Sequence, residues 1–332
     1  MILTDLLNRA VMAADHAASR VQVRLGERRG ALVTLFFHNV FLDEQEIALD
    51  LAYPQQRTTV ADLQRTIQYY QSAGYRFIAP DEILRGLDSG GRFVLLTFDD
   101  GYFNNQRALP LLEKFDVPAL FFVPGEMVLT GKSYWWDVLW RTRRKQGAGV
   151  NALMAETWSR VGARADEIET AVMQDAGVTE LRAVGEVDRL FTPEELAKFA
   201  AHPLVSIGNH GGSHECLTAY PRAEALEIVT RAQKQLAGIT GRVPAAIAYP
   251  YGLLTRETVE VSRAAGLKLG FTTEARKFYV DQNAGADALM RVGRFTLWAE
   301  QGIEAQCELT RADLMWHARY RAFVERRKAE TK

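Results

Sequence analysis

Two adjacent acidic residues, Asp99 and Asp100, form the arrangement in this 332-residue chain that most directly suggests chemistry. They follow an apolar run, residues 93–98, that is typical of a fully buried strand. Two carboxylates at the end of such a strand repel each other and lose hydration unless a cation lies beside them. Gly101 then allows the backbone to turn sharply. The pair therefore predicts a bound cation.

Two histidines, His210 and His214, are the residues that would complete a metal site. Their spacing places both imidazoles on one face if the segment turns helically. Two histidines and one carboxylate leave positions open for water and substrate, as in catalytic metal sites. A glycine-rich loop with incidental histidines is the alternative for this segment taken alone. Together with the aspartates, the histidines favour a mononuclear metal hydrolase.

A third segment, residues 249–252, reads Tyr-Pro-Tyr-Gly and follows another apolar run. In parallel α/β architectures, catalytic groups collect at the carboxyl ends of the strands. We therefore expect the three segments to meet at one rim of a sheet. Core packing alone would not explain three such motifs in equivalent places.

Apolar runs that alternate with helical patterns predict parallel βαβ units around these motifs. About seven strands are expected, which fits a (β/α) barrel better than an open sheet. We predict an N-terminal helical extension, a barrel domain, a helical insertion within it and a C-terminal helix. Their expected ranges are residues 1–30, 31–298, about 132–190 and 299–332, respectively.

Composition excludes several classes of protein. The chain is 48% hydrophobic and 24% charged, as in ordinary globular proteins, and its net charge of -1 gives no electrostatic case for nucleic acid. Cys216 and Cys307 are too few for a disulfide framework or a thiolate cluster, although one disulfide stays open. The N-terminus does not resemble a secretion signal, and no apolar stretch is long enough to span a membrane. We expect a cytoplasmic protein whose basic ends leave peripheral membrane contact open.

The three motifs together resemble those of the polysaccharide deacetylases, the NodB-homology domain of carbohydrate esterase family four. The matching segments are residues 97–101, 210–214 and 246–252, and the resemblance extends from about residue 32 to 295. It implies an α/β fold that is a deformed (β/α)7 barrel. It also implies metal-dependent removal of an acyl group, usually acetyl, from an amino sugar.

The resemblance also implies a role for each matching residue. Asp100, His210 and His214 correspond to the metal ligands, with Zn²⁺ the first choice of ion and Co²⁺, Ni²⁺ or Fe²⁺ also accepted by such a ligand set. Asp99 corresponds to the general base that takes a proton from metal-bound water. The backbone N–H of Tyr251 would stabilise the oxyanion together with the ion.

Two features depart from the common family pattern. Many members carry an arginine where this chain has Ala248, and many end with a Leu-x-His segment, which we do not find after Trp298. A branch that includes exopolysaccharide deacetylases instead has a histidine just after the first strand. His38 occupies a similar position, and we expect it to be the general acid. A histidine that only forms hydrogen bonds at the strand end is the alternative.

Further residues are expected to contact the substrate. Trp135 and Trp136 open the insertion and suit a sugar ring, although helix-core packing explains their spacing too. Tyr249 and Pro250 belong to the third motif. Arg294 would replace the missing arginine, bind an anionic group of the substrate or form an ordinary surface ion pair.

We therefore predict a hydrolase of linear amide bonds that acts on an N-acetylated amino sugar in bacterial surface-polysaccharide synthesis. The substrate would be a biosynthetic intermediate, linked to a nucleotide or to a lipid. The first alternative is a deformylase or another small-amide hydrolase of the same fold. The second is a catalytically weak carbohydrate-binding protein, suggested by Ala248 and the missing terminal histidine.

Overall fold

The computed structural model describes residues 2–280 and 285–313. Its central sheet contains strands that are buried on both faces, as parallel strands covered by helices require. The strands are β1 (Ala31–Phe37), β2 (Arg76–Phe77), β3 (Arg92–Phe98), β4 (Ala119–Val123), β5 (Val205–Asn209), β6 (Ala246–Ala248), β7 (Leu269–Phe271), β8 (Phe278–Tyr279) and β9 (Phe295–Thr296).

Seven of these strands are parallel and lie in the order β7-β6-β5-β4-β3-β1-β9. They curl into an open, barrel-like sheet, so the expected deformed (β/α)7 barrel is confirmed. Strand β1 pairs with β3 along its full length, from Ala31–Arg92 to Phe37–Phe98. Strand β2 adds to β3 in parallel, and β8 adds to β1 antiparallel.

A short closing segment, residues 292–296, lies across the gap between the two edges of this sheet. Val292 forms a parallel bridge with Phe271 of β7, whereas Phe295 pairs with Leu35 of β1. Its side chains therefore enter the barrel from the side opposite β3 to β5. The sequence did not indicate this segment because β9 has only two residues, too few for a periodic pattern.

Helices cover the sheet and precede or follow its strands in the expected alternation. The helix Pro193–Ala200 shows how one of them begins, with Thr192 and Glu195 forming a capping box around Pro193. The helices are α1 (Ile2–Leu25), α2 (Glu44–Ile47), α3 (Val60–Ser72), α4 (Pro80–Arg85), α5 (Leu109–Phe115), α6 (Gly125–Thr130), α7 (Trp135–Lys145), α8 (Val150–Arg160), α9 (Ala165–Ala176), α10 (Pro193–Ala200), α11 (Arg222–Thr240), α12 (Arg256–Ala264), α13 (Ala286–Leu289) and α14 (Ile303–Arg311).

Helices α7, α8 and α9 lie between β4 and β5, in the region where we expect the insertion. Near the C-terminus, α14 begins at Ile303 and ends at Arg311, within the range expected for the C-terminal helix. The remainder of that expected helix lies outside the described residues. Cys216 and Cys307 are both buried and free. None of the helices in the described ranges is long and apolar enough to cross a membrane.

Candidate metal centre and active site

Three buried side chains meet at the carboxyl rim of the barrel: Asp100, His210 and His214. Asp100 lies just after the end of β3, and His210 lies just after the end of β5. Strand β4 separates these two strands in the sheet. The Oδ1 atom of Asp100 lies 3.4 Å from Nε2 of each histidine. The structure therefore brings together the three residues that the sequence nominated as metal ligands.

The geometry of this triad fits a metal ion better than a set of hydrogen bonds. Two ligand atoms at about 2 Å from one tetrahedral ion lie roughly 3.3 Å apart, close to the observed separations. Oδ1 of Asp100 is buried and has no hydrogen-bond partner among the described residues. The Nδ1 atom of His210 lies 2.8 Å from the Ala248 carbonyl oxygen, so it carries the proton and leaves Nε2 free to bind a cation.

The charge states of the triad also suit a cation. Burial raises the pKa of Asp100, but its interactions with the neighbouring histidines, His210 first among them, outweigh burial and leave the pKa below its usual range. Burial and the neighbouring charge of His210 lower the pKa of His214 to about 3. At neutral pH the site thus offers an ionised carboxylate and a neutral imidazole, the forms that bind metal.

Backbone strain concentrates at the same place. Seven residues other than glycine have positive φ in the described part of the chain, and four of them line one pocket: Gln55, Asp100, His214 and Tyr251. Such conformations cost about 1–3 kcal/mol each and persist where the surrounding structure enforces them. The segment after His210 is therefore not the helical turn that we expected from the histidine spacing. It turns through left-handed residues, which converge the two rings by a different route.

Asp99, next to the triad, is held by an arginine from the closing segment. The two terminal nitrogens of Arg294 donate to its two carboxylate oxygens at 2.6 and 2.7 Å, while Nε donates to the Thr272 carbonyl. Burial raises the pKa of Asp99, but the charge of Arg294 outweighs it and keeps the pKa below its usual value. Asp99 is therefore ionised at neutral pH and fixed in orientation.

The contacts of Arg294 distinguish between the three roles that the sequence left open for it. It is fully buried and does not line the pocket, so the expected contact with the substrate is not what the structure shows. It instead takes the place of the arginine that is missing at Ala248. Its charge is fully engaged by Asp99, which is why it can be buried at all.

His38 lies at the end of β1 and lines the pocket. Its Nδ1 is 2.7 Å from Oε1 of Gln56, whose amide nitrogen contacts the Phe36 carbonyl and so fixes the amide orientation. Nδ1 must then carry the proton, which leaves Nε2 as the atom available to a substrate. The Asn105 side chain holds the His38 carbonyl at 2.6 Å.

The third motif forms the tight turn that the sequence indicates. Tyr251 has φ 60° and ψ 4°, and its ring packs edge-on against His214. Tyr249 contributes to the pocket, but its hydroxyl donates to the Met290 carbonyl and is not free for a substrate. Pro250 is buried and does not line the pocket.

Trp135 and Trp136, at the start of α7, line the pocket opposite the closing segment and are almost fully buried. Trp136 stacks on Tyr134 with ring centres 4.1 Å apart, and its Nε1 donates to the Tyr102 hydroxyl. The Tyr134 hydroxyl in turn donates to the Asp100 carbonyl at 2.6 Å. These aromatic residues therefore hold Asp100 in place and also line one side of the pocket.

Sequence reasoning missed two polar residues of the site, Gln55 and Gln56. The Gln55 amide lies 3.3 Å from Oδ2 of Asp100, and Gln56 orients His38. Both belong to an irregular loop between β1 and α3, where no periodicity or motif singles them out. Only the positive φ of Gln55 and of Arg57 marks the loop as functional, and that signal is absent from the sequence.

The fold and the site define a deformed α/β barrel with a buried aspartate–histidine–histidine centre at its carboxyl rim. The chain belongs to the polysaccharide deacetylase family, whose sequence model matches residues 87–270, more than half of its length. No curated protein matches the chain.

Solved structures support the same fold at low sequence identity. A deacetylase from Streptococcus pyogenes, PplD, solved with acetate, is 17% identical, with a TM-score of 0.57 over 85% of this chain and 99% of that one. IcaB from Ammonifex degensii is 21% identical, with a TM-score of 0.55 over 85% and 98%. A de-N-acetylase from Aggregatibacter actinomycetemcomitans is 15% identical, with a TM-score of 0.56 over 84% and 99%.

Proposed function

We propose that this protein is a metal-dependent amide hydrolase that removes the N-acetyl group of an amino sugar. One observation carries the proposal: an ionised, arginine-held Asp99 lies beside the buried triad of Asp100, His210 and His214, and His38 lines the same pocket. Membership of the polysaccharide deacetylase family supports the choice of an acetylated sugar. Synthesis of a bacterial surface polysaccharide is the proposed setting.

Asp100, His210 and His214 would hold the ion, with Zn²⁺ our first choice. A divalent ion there polarises the amide carbonyl and lowers the pKa of a water molecule. The Asp99 carboxylate then takes a proton from the attacking water, and Arg294 prevents that carboxylate from rotating away.

His38 is the proposed general acid. Its Nε2 would give a proton to the nitrogen as the carbon–nitrogen bond breaks, so that the sugar leaves as a neutral amine. Because Nδ1–H is held by Oε1 of Gln56, His38 would act as the acid in its doubly protonated form, and the Nε2 proton would be the one transferred. The proton that Asp99 takes from the water would return to Nε2 of His38 through solvent once the products have left. The backbone N–H of Tyr251, in its left-handed turn, is the proposed donor to the oxyanion.

Metal content and acetate release test this function together. After zinc loading and dialysis, we expect about one zinc per wild-type chain and none in Asp100→Ala, because a single ion needs all three ligands. The wild type should release acetate from N-acetylglucosamine glycosides. Zinc without acetate, but with formate from N-formyl sugars, would assign the protein as a deformylase instead.

Two further variants separate binding from chemistry. His38→Ala should retain zinc and lose about 10²–10⁴-fold in kcat, as expected for a lost general acid. Asp99→Asn should also retain zinc and lose turnover. If the wild type binds the sugar and neither variant changes the acetate rate, the protein is a carbohydrate-binding member and the proposed function is refuted.

A further inference from the structure

The pocket above the metal centre has a polar side and an apolar side. The polar side contains the metal ligands, His38, Gln55 and Gln56. The apolar side is formed by helix α8 of the insertion, through Met154, Trp158 and the adjoining Val161, and by Trp298 beyond β9. We call these last four residues the apolar wall. It is continuous with the site of the proposed reaction.

The apolar wall is not satisfied by packing within the protein. Trp158 is 57% exposed and Trp298 is 39% exposed, although both line the pocket. Leu253, one residue beyond the pocket-lining Gly252, is also exposed. Large apolar side chains grouped at the rim of a cavity are typical of a binding site for an apolar group, because the release of water from apolar surface lowers the free energy of the complex.

The charged residues that line the pocket indicate whether the group bound by the apolar wall is charged. No lysine or arginine is among the described residues that line it, and its ionised carboxylates are Asp99 and Asp100. Arg294, the nearest buried guanidinium, is fully occupied by Asp99. A diphosphate or a carboxylate on the apolar wall would find no lysine or arginine among the described lining residues, and the proposed metal ion belongs to the polar side, so the group on the apolar wall is uncharged.

The size of the pocket limits the substrate further. Its volume is about 280 Å³, at the lower end of the range for small-ligand pockets. That volume accommodates one sugar ring and a short attached segment.

We propose that the apolar wall binds the first part of a hydrocarbon chain that is attached to the amino sugar. The substrate is then a glycolipid-type molecule that presents a single sugar to the metal centre. This inference rests on the proposed function, which it refines by naming the class of substrate. The reaction preceding this one must therefore attach the sugar to an alkyl group.

Binding of two sugars that contain no amide tests the inference apart from turnover. Octyl and methyl β-D-glucoside are titrated into zinc-loaded protein by calorimetry, below the critical micelle concentration of the octyl compound. Each buried methylene strengthens binding roughly fourfold, so partial burial of the chain should favour the octyl glucoside by about tenfold or more. Equal affinities for the two would overturn the inference.

A matched pair of variants on α8 locates the effect. Trp158→Ala should reduce the octyl preference to within about twofold of unity, because the wall loses its largest member. Val150→Ala, on the same helix, exposed and outside the pocket, should leave the preference unchanged. If Trp158→Ala instead weakens both glucosides equally, or affinity rises with the number of sugar units rather than with the alkyl chain, the wall stacks on sugars and the inference fails.

Turnover distinguishes failure of the inference from failure of the proposed function. The octyl glycoside of N-acetylglucosamine should show a kcat/KM about tenfold or more above that of the methyl glycoside. No acetate from either compound, with the octyl preference in binding intact, would refute the deacetylase function and leave the apolar wall standing. Acetate release from both compounds with equal kcat/KM would support the deacetylase function and refute the proposed role of the apolar wall.

Discussion

At the scale of residues, Arg294 supplies the buried guanidinium beside Asp99 that the family pattern led us to look for at Ala248. The two residues are far apart in sequence, and their contact depends on the closing segment lying across the barrel. Arg294 is fully buried, and its desolvation is offset by the bidentate pair, by the bonds to Thr97 and Thr272 and by the faces of the Phe36 and Phe122 rings. The pair is thus a device for orienting the base.

Removal of Arg294 should alter both stability and pH dependence. Arg294→Met leaves a buried, unpaired carboxylate and should cost about 3–5 kcal/mol in the free energy of unfolding, measured with urea. Because Arg294 is the strongest of the influences that lower the pKa of Asp99 against the effect of burial, that pKa should rise, and the acid limb of the pH–activity profile should move to higher pH.

The control for this prediction is Arg294→Met combined with Asp99→Asn, which removes the unpaired charge and should recover part of the lost stability. Arg294→Lys keeps a cation but not the bidentate fork, so it should fall between wild type and Arg294→Met. An acid limb that stays in place in Arg294→Met would show that Arg294 does not control the ionisation of Asp99.

The convergence of the triad could be predicted from sequence because its residues follow apolar strands within local motifs, Asp100 after β3 and both histidines after β5. Arg294, Gln55 and Gln56 could not be assigned in this way. Their contacts join segments that only the folded barrel brings together, and no local spacing encodes such contacts. The resemblance indicated that an arginine is missing at Ala248, and Arg294 was one candidate to replace it, but the sequence left two other roles open for Arg294 that only its contact with Asp99 separates.

At the scale of elements, the turn after β6 positions the proposed oxyanion donor. Tyr251 and Gly252 both have left-handed backbones, with φ 60° and 71°. A Cβ on Gly252 would lie 2.0 Å from Oγ1 of Thr273, so only glycine fits there. The sequence motif predicts a turn, and this contact explains why the turn ends in glycine.

Gly252→Ala should therefore displace the turn while sparing the metal ligands. We expect a loss of kcat with zinc content retained, and destabilisation of about 1–3 kcal/mol from the enforced left-handed backbone. Gly238→Ala is the matched control, because a Cβ there meets nothing within 4 Å in helix α11. That change should leave kcat unaltered and slightly increase stability. Equal kcat in the two variants would exclude a catalytic role for the turn.

The histidine pair shows where sequence reasoning reached the right residues through an incorrect local structure. The spacing of His210 and His214 is that of a helical face, but the segment turns through Gly211 and His214 in left-handed conformations. Two imidazoles can converge by either route, so the spacing predicted the ligands and not the backbone. The strained left-handed backbone of His214 cannot be predicted from the spacing of the two histidines.

At the scale of the whole molecule, the metal centre ties together strands from different parts of the sheet. Its proposed ligands follow β3 and β5, and their hydrogen-bond partners come from Tyr134 just before α7, from Gln55 in the loop before α3 and from Ala248 of β6. An ion bound there stabilises the folded state alone, because the unfolded chain does not hold these ligands together. Metal binding and folding should therefore be coupled.

Removal of the metal should lower the stability of the protein in a pH-dependent way. In the metal-free protein His214 has a pKa of about 3, below its unfolded value of about 6.5, so the unfolded state binds the extra proton between these values. Stability of the metal-free protein should thus fall as the pH drops from about 6.5 towards 3. Zinc at a thousandfold excess over its Kd should restore about 4 kcal/mol at neutral pH, and less in acid, because protons compete for the histidines.

Thermal unfolding of chelator-treated and zinc-loaded protein, from pH 5 to 8, measures this coupling. The zinc-dependent rise in Tm should be largest at the alkaline end and should disappear in Asp100→Ala, which lacks one ligand. Gly238→Ala, remote from the site, should show the wild-type rise at every pH. A rise in Tm that persists in Asp100→Ala would mean that zinc stabilises the protein at another place, and the link between this triad and the fold would be refuted.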